Sequence, residues 1–244
     1  GRRIRKLFVP TNEDYVLVDA DYSQIELRVL AHISGDPTFI DAFLNKQDIH
    51  RRTASEIFGV PLEQVSPEQR NSAKAVNFGI VYGISDFGLS RNLGISRKQA
   101  QEYIDSYFAR YPKIKEYMVR IVETARKQGY VTTLMNRRRY LPELKSRNFN
   151  IRAQGERLAM NTPIQGTAAD IIKKAMNDVY AELKRRNLRS KLILQVHDEL
   201  IIDTYKPELE EVKDIVVRCM ENAMDLRVPL VVDVGIGTSW YDAK

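Results

Sequence analysis

Two pairs of carboxylates follow short apolar runs that are typical of buried strands. Asp19 and Asp21 end the first run, and Asp198 and Glu199 follow the second. Carboxylates that lie close together repel one another unless a cation neutralises them, and ligand sets made only of oxygen favour Mg²⁺ or Mn²⁺ over Zn²⁺. The acids could therefore form a shared divalent-cation site, which only tertiary folding could assemble. The alternative is that each acid begins a solvated turn, as aspartate commonly does after a strand.

Arg70, Lys74, Phe78 and Tyr82 recur every four residues. A helix turns by about 100° per residue, so each step of four drifts by only about 40° and the side chains form one slanting stripe. Cations could hold phosphates and aromatic rings could meet the face of a base, a pairing expected for a nucleotide rather than for an inorganic anion. The alternative is a solvated basic turn followed by core aromatics.

The two acid pairs need elements that position them. A strand over 15–21, a turn and a helix from Ile25 are predicted around the first pair, because the hydrophobic period changes there. Gly35-Asp36-Pro37 ends this region, since the residue before proline avoids helical dihedrals. Two apolar runs, at 192–196 and 200–202, surround the second pair and predict a hairpin with a charged tip.

Helices should cover the sheet that contains this hairpin. An amphipathic helix is predicted over 170–186, and another over 207–224. A final strand over 230–234 completes an open α+β layer.

The middle of the chain is predicted to be helical. Capping boxes open two helices, one at Ser66 with Gln69 and one at Ser96 with Gln99. The stripe therefore belongs to a helix that begins at Pro67, where the fixed φ of proline favours a start.

Proline and glycine residues divide the rest of this helical region into separate helices. The helix that follows Ser96 should stop at Pro112, and the next should end at Gly129, which accepts a left-handed conformation. Two short β-rich runs then predict a small ribbon with a basic tip at 136–139.

The composition excludes several classes of protein. The chain has 244 residues, of which 43% are hydrophobic and 29% charged, so it can bury a sizeable core. No apolar run approaches the ~20 residues of a membrane span, so we expect a soluble, cytoplasmic protein. A single cysteine, Cys219, excludes a disulfide framework within the chain and a cysteine-cluster zinc site. The net charge of +6 suits a polyanionic partner without requiring one.

Four segments carry a resemblance to a known family. They are Asp21-Tyr22-Ser23-Gln24-Ile25-Glu26-Leu27-Arg28, the stripe extended to Gly83, Thr162-Pro163-Ile164-Gln165-Gly166-Thr167-Ala168-Ala169-Asp170, and Val196-His197-Asp198-Glu199. In order and separation they resemble the polymerase motifs of family A DNA polymerases of the bacterial DNA polymerase I type. The resemblance covers essentially the whole sequence.

This resemblance implies an α+β fold, with an antiparallel palm sheet covered by helices and an inserted, mainly helical fingers subdomain. Residues 1–36 and 151–244 would form the palm, and residues 37–150 the fingers. Because the sequence begins shortly before Asp21, the family's thumb and exonuclease domains would be absent. We then expect weak, salt-sensitive DNA binding and poor processivity, because fewer phosphate contacts remain.

The resemblance also implies a two-metal mechanism. Asp21, Asp198 and the backbone carbonyl of Tyr22 would bind two Mg²⁺ ions roughly 3.5 to 4 Å apart, with Mn²⁺ as a substitute. One ion would activate the primer 3′-hydroxyl and the other would neutralise the departing pyrophosphate. Glu199 would either assist metal binding or tune the local field, and Asp19 is expected to be structural.

By the same resemblance, the incoming deoxynucleotide would contact the stripe and three further residues. This set is Arg70, Lys74, Phe78, Tyr82, His50, Gln24 and Glu26. The two cations and His50 would grip the triphosphate, with Lys74 also donating a proton to pyrophosphate. Phe78 would stack on the nucleotide, Tyr82 would lie near the template base, and Glu26 would crowd the 2′ position of the sugar.

DNA contacts are implied for a further set of residues. Arg157, Asn161 and Gln165 are spaced four and four, fit one helix face, and would reach the minor groove, whose degenerate acceptors permit readout without sequence preference. His197 would contact the primer end. The basic ribbon tip is either a solvated turn or a contact to the DNA backbone.

The leading interpretation is template-directed addition of deoxynucleotides to a primer by a monomeric DNA polymerase. Its partners would be primer–template DNA and deoxynucleoside triphosphates, with no membrane. Two alternatives stay open. One is a non-catalytic DNA-binding fragment, and the other is a relative of single-subunit RNA polymerases, against which Glu26 argues.

Overall fold

The computed structural model describes residues 2–244. Its helices are α1 (Ile25–Ser34), α2 (Pro37–Leu44), α3 (Ile49–Phe58), α4 (Pro67–Val81), α5 (Asp86–Leu93), α6 (Arg97–Arg110), α7 (Pro112–Gln128), α8 (Phe149–Arg185) and α9 (Leu209–Glu221). Its strands are β1 (Tyr15–Tyr22), β2 (Tyr130–Thr132), β3 (Arg138–Tyr140), β4 (Lys191–Val196), β5 (Glu199–Tyr205) and β6 (Val232–Gly237). Short 3₁₀ segments span Arg2–Leu7, Leu62–Gln64, Pro142–Lys145 and Lys206–Glu208.

The chain divides into two compact units. Unit 1 contains residues 2–25 and 168–244, and unit 2 contains residues 26–167. The divisions fall inside α1 and α8, whereas the predicted palm and fingers boundaries lie near 36 and 150. The palm and fingers assignment stays a prediction.

Unit 1 is built on an antiparallel sheet with the strand order β4-β5-β1-β6. The central strand β1 buries Leu17, Val18 and Ala20 completely, which explains its unbroken apolar run. The amphipathic helix α9 packs against β1, β5 and β6. The prediction of an α+β fold with an antiparallel sheet covered by helices is confirmed.

Unit 2 is mainly helical, and its helix starts follow the predicted capping signals. The Ser66 hydroxyl accepts the Gln69 amide at 3.2 Å, while the Gln69 side chain accepts the Ser66 amide at 2.9 Å. The same reciprocal pair opens α6 at Ser96. Gly129 ends α7 with a φ of 84°, a left-handed conformation that favours glycine.

Several predicted boundaries were wrong. The helix predicted from residue 170 begins at Phe149 and passes through Pro163, so its 37 residues span both units. The Thr167 hydroxyl donates to the Pro163 carbonyl at 2.6 Å, a back-bond to the preceding turn that serine and threonine commonly make within helices. Two of the predicted tip arginines, Arg138 and Arg139, belong to β3 because they pair with β2. The last strand lies at Val232–Gly237 rather than 230–234.

Candidate active site

Four acids of unit 1, Asp19, Asp21, Asp198 and Glu199, form what we call the acid cluster. β1 lies beside β5, and this register places Asp21 directly opposite Glu199. The β4–β5 hairpin carries Asp198 at its tip, and the Tyr22 backbone N–H donates to the Asp198 carbonyl at 3.1 Å. Two acidic segments that are distant in sequence therefore meet at one end of the sheet.

Burial and mutual repulsion perturb two members of the acid cluster. Desolvation, followed by the charge of Asp21, raises the pKa of Asp198. Asp19 is only 2% exposed, and burial followed by the charge of Glu199 raises its pKa to about 6. Within residues 2–244, neither carboxylate oxygen of Asp19 has a hydrogen-bond donor.

Two cations compensate part of this charge. Lys244 Nζ lies 3.0 Å from Asp21 Oδ2 and also bonds the Glu199 carboxylate. Burial alone would lower the pKa of Lys244, but the hydrogen bonds to Glu199 and Asp21 outweigh it and raise the pKa. Arg5 Nη2 lies 3.3 Å from Glu199 Oε1. Neither cation is predictable from the sequence, because no local spacing links Lys244 or Arg5 to the acids.

The last residues are held against the sheet by specific packing. Trp240 is 5% exposed, and its backbone N–H donates to the Phe8 carbonyl at 2.9 Å. A Cβ added to Gly235 would overlap the Ala243 carbonyl oxygen. Glycine in β6 thus lets the chain pass close enough for Lys244 to reach the acid cluster.

Two predicted site residues of unit 1 adopt left-handed backbone conformations. Gln24 has a φ of 55° between β1 and α1, and His197 has a φ of 53° in the hairpin turn. The Gln195 side chain donates to the His197 carbonyl at 2.8 Å, which holds the turn. Positive φ is uncommon for residues other than glycine and is often found at functional turns.

The stripe lies on α4 in unit 2, and it has a cationic half and an aromatic half. Arg70 Nε donates to Asp48 Oδ2 at 2.6 Å, and Lys74 is exposed. Phe78 is half-buried, and its ring stacks on that of Tyr82 at 6.2 Å between centroids. Both rings keep accessible surface, so they are not sealed core aromatics.

His50 lies on α3 and is 3% exposed. Its ring is 5.7 Å from that of Phe78, and its Nδ1 is 3.0 Å from the Asn77 amide nitrogen. Burial lowers the pKa of His50 to about 4, with smaller effects from Asp48, which raises it, and from Arg70 and Lys74, which lower it. The ring is therefore neutral at pH 7.

Tyr82 links residues from three separate motifs. Its hydroxyl donates to Glu26 Oε2 at 2.8 Å and also contacts the Gln165 side chain. Burial, followed by the bond to Glu26, raises the pKa of Tyr82 to about 12. Glu26 is thus held in a defined orientation.

The predicted DNA-contacting face lies on α8. Gly83, with a φ of 66°, leaves room where a Cβ would meet the Met160 side chain and press on Arg157. Asn161 Oδ1 is inaccessible and has no hydrogen-bond partner within the described chain. Gln165 lies one turn further along, against Tyr82.

Comparison with known families identifies the chain. The family model described as DNA polymerase family A matches residues 1–242. The chain belongs to DNA polymerase family A. This confirms the resemblance to the family.

Curated family A relatives are similar along the whole chain. The DNA polymerase I of Bacillus caldotenax is 58% identical over 244 residues, and that of Bacillus subtilis (strain 168) is 59% identical over 244 residues. These matches include 100% of this chain but 28% of either relative. The chain therefore spans less than a third of their length.

A solved structure of the family has the same fold. It is the POL domain of Pol1 from M. smegmatis in complex with DNA primer-template and dNTP, and the match has a TM-score of 0.95 at 47% identity. The match covers 99% of this chain and 43% of that one. In the part of the chain that the structure describes, no helix combines the length and apolar character needed to cross a membrane.

Family A membership implies dependence on divalent metal ions. Among residues 2–244, no three His, Cys, Asp or Glu side chains are placed to hold an ion together. Asp21 Oδ1, however, is buried without a hydrogen-bond donor from the described chain, and the charge of Asp21 raises the pKa of Asp198 in addition to burial. Because Mg²⁺ is often held by one or two carboxylates together with substrate phosphates and water, the two aspartates fit such an ion.

Proposed function

We propose that this chain carries out template-directed DNA synthesis, transferring deoxynucleotides to a primer 3′-hydroxyl. The observation that carries the proposal is the Tyr22–Asp198 backbone bond of 3.1 Å, because it joins the two aspartate segments at one end of the sheet. Family A membership supports the same reaction. The solved relative bound to DNA primer-template and dNTP is consistent with both substrates.

Asp21, Asp198 and the backbone carbonyl of Tyr22 are the residues that would hold Mg²⁺, or Mn²⁺ in its place. When bound, the ions would supply charge stabilisation for the attacking hydroxyl and for the departing pyrophosphate. The chain's own contribution is to keep the two carboxylates close to one another in a partly desolvated place, which strengthens their attraction for a cation.

The stripe is proposed to bind the triphosphate. Phosphoryl transfer needs mainly alignment and charge stabilisation, and Arg70 and exposed Lys74 supply positive charge on adjacent turns of α4. Lys74 is the proposed proton donor to pyrophosphate. His50 is neutral, so it would contribute a hydrogen bond rather than a charge.

Base and sugar recognition are assigned to the other end of the stripe. Phe78 would stack on the incoming nucleotide, while Tyr82 would lie near the template base. Glu26, held by the Tyr82 hydroxyl at 2.8 Å, would crowd a ribose 2′-hydroxyl and so select deoxynucleotides. Gln24, which has a left-handed backbone conformation, is also proposed to contact the deoxynucleotide.

DNA is proposed to contact two separate groups of side chains. Arg157, Asn161 and Gln165 share one face of α8 and would meet the minor groove. His197, exposed in the hairpin turn, would contact the primer end. We propose that residues 1–36 and 151–244 form the palm, that residues 37–150 form the fingers, and that the protein acts as a monomer.

Primer extension tests the proposal. With primed template, Mg²⁺ and deoxynucleotides, we expect the wild-type chain to extend the primer and Asp198→Asn to lose about 100- to 1,000-fold in rate, the scale of one removed transition-state interaction. Asp225→Asn, at an exposed site on the same unit, should keep wild-type activity. DNA binding without extension at any protein concentration would instead identify a non-catalytic DNA-binding module.

The proposed selection of deoxynucleotides over ribonucleotides is tested by a separate assay. Glu26→Ala should incorporate ribonucleotides more readily, because the carboxylate that crowds the 2′ position is gone. Tyr82→Phe removes only the hydroxyl that holds Glu26 and should give a smaller change in the same direction. Unchanged discrimination in Glu26→Ala would remove that residue from the site.

A further inference from the structure

Three buried polar side chains, joined by hydrogen bonds, connect α3 to α4. Thr53 Oγ1 donates to Asn77 Oδ1 at 3.2 Å, and the Asn77 amide nitrogen lies 3.0 Å from His50 Nδ1. The exposed fractions of Thr53, Asn77 and His50 are 1%, 0% and 3%. Buried polar groups with complete hydrogen bonds fix one arrangement, because breaking a bond leaves an unsatisfied group.

The chemistry of the Asn77 amide sets the direction of these hydrogen bonds. An amide oxygen accepts and an amide nitrogen donates, so a hydroxyl that donates to Asn77 Oδ1 turns the amide nitrogen towards His50. His50 Nδ1 must then accept. In a neutral imidazole the other nitrogen carries the proton, which makes the ring the Nε2–H tautomer.

Tyr111 and three charged side chains surround these hydrogen-bonded groups. The Tyr111 hydroxyl gives its own proton to Glu56 Oε2 at 3.1 Å, so its oxygen is a second acceptor for the Thr53 proton. The proposed direction requires that this proton go to Asn77 Oδ1, the acceptor 3.2 Å from Thr53 Oγ1. The charged groups that act on the ring are Asp48, Arg70 and Lys74. Two of these are the cations proposed to bind the triphosphate, and a third positive charge beside them would be repelled.

We propose that Thr53 and Asn77 are positioning residues that hold His50 as the neutral Nε2–H tautomer, so that it binds a nucleotide phosphate as a hydrogen-bond donor without charge. The proposal rests on the proposed function for its ligand, a nucleoside triphosphate, but not for the tautomer. Asn77 immediately precedes Phe78 on α4, so the same bond also fixes His50 relative to the stripe.

Nitrogen NMR tests the tautomer without any assay of activity. In protein labelled with ¹⁵N-histidine, long-range ¹H–¹⁵N correlations separate the two tautomers, and loss of one pattern in His50→Gln assigns it among the three histidines. We expect the Nε2–H pattern at pH 7. A wild-type Nδ1–H pattern would overturn the proposal.

Two substitutions test the positioning residues. Asn77→Asp has the same shape but presents acceptors to the ring, so the proton should move to Nδ1 or the ring should become doubly protonated. Thr53→Val removes the hydroxyl that orients the amide and should give a mixture of tautomers, whereas Thr53→Ser should restore the wild-type pattern. Thr167→Val, which loses another buried hydroxyl of unit 2, is the matched control and should leave the His50 pattern unchanged. An unchanged pattern in Asn77→Asp would overturn the proposal.

Kinetics then connect the tautomer to nucleotide binding. Loss of one well-oriented hydrogen bond corresponds to about a tenfold rise in the KM for deoxynucleotides in Asn77→Asp, with a smaller change in kcat. A changed tautomer with an unchanged KM would overturn the role in binding and leave the polymerase proposal intact. Absence of extension activity in the wild-type protein would contradict the proposed function, while the NMR result would still decide the tautomer.

Discussion

His50 shows how strongly one buried side chain can couple stability to pH. Its pKa is lowered from 6.5 to about 4 in the folded protein, mainly by burial. Between these values the unfolded chain binds a proton that the folded chain does not. The stability that depends on neutral His50 is therefore fully present above pH 6.5 and is lost as the pH falls towards 4.

We expect this loss to be on the order of 3 kcal/mol between pH 6.5 and pH 4. His50→Gln should flatten that part of the profile, because the titrating group is gone. Urea unfolding at a series of pH values measures the change. His197→Gln, at an exposed position, is the control, and an equal flattening in both variants would contradict the assignment to His50.

Lys244 is a second residue with a measurable effect, because it pairs with a carboxylate that has almost no access to water. The Glu199 side chain is 2% exposed, so removing Lys244 leaves a poorly solvated carboxylate with Arg5 as its remaining cationic partner. Lys244→Gln should lower the stability of the metal-free protein by about 2 kcal/mol. Chemical denaturation in the presence of EDTA measures this loss.

The matched control for Lys244 is an exposed lysine in the same unit. Lys174 pairs with Asp178 at 2.6 Å on the surface of α8, where an ion pair contributes less than about 1 kcal/mol. Equal losses in Lys244→Gln and Lys174→Gln would show that burial of Glu199 does not decide the effect.

These residues also show what sequence patterns can and cannot predict at a site. Asp21 and Asp198 follow apolar strands, so local patterns place them at strand ends, and the resemblance assigns their role. Lys244 and Arg5 reach the acids from the two ends of the chain, so their position depends on tertiary packing alone. No period or motif carries that information.

At the scale of elements, the capping box of α4 supports the stripe. Ser66 lies one turn before Arg70, and its hydroxyl satisfies a backbone N–H that the first turn would leave unpaired. Ser66→Ala should cost about 1 kcal/mol of stability. Fraying of this turn should also raise the KM for deoxynucleotides severalfold, because Arg70 loses its fixed backbone.

The second capping box provides the comparison for that prediction. Ser96 makes the same reciprocal bonds with Gln99 at the start of α6, which carries none of the proposed nucleotide ligands. Ser96→Ala should cost a similar amount of stability with no change in KM. A rise in KM in both variants would mean that general loosening of unit 2, rather than the first turn of α4, weakens nucleotide binding.

Elements differ in how far local sequence predicts them. Helices α4, α6 and α7 start and end at local signals, serine caps, proline and glycine, so their bounds follow from a few neighbouring residues. The start of α8 does not, since Pro163 normally argues against a helix interior and its cost is offset by surroundings that sequence patterns do not display.

At the scale of the whole molecule, the net charge of +6 is distributed unevenly. Residues 26–167 contain 22 Lys and Arg against 14 Asp and Glu, a net charge of +8. The rest of the chain contains 16 against 18, a net charge of −2. A polyanion should therefore gain most of its electrostatic attraction from unit 2.

This uneven charge distribution makes the salt dependence of the proposed DNA binding a test of where phosphates bind. Each phosphate contact that is lost reduces the slope of log K against log salt by about 0.9. Arg138 and Arg139 are exposed on β3, so Arg138→Gln with Arg139→Gln should reduce the slope by about one to two. Anisotropy of a labelled primer–template between about 50 and 200 mM salt measures it.

A pair of neighbouring arginines in unit 1 provides the control, because it tests whether the location of the removed charges matters or only their number. Arg185 and Arg186 already pair with Glu182, and Arg186 also pairs with Glu211. Replacing both with glutamine removes the same two charges from a unit whose net charge is already negative, so the slope should stay close to wild type. Equal reductions in the two double variants would show that total charge, rather than its concentration in unit 2, governs DNA binding.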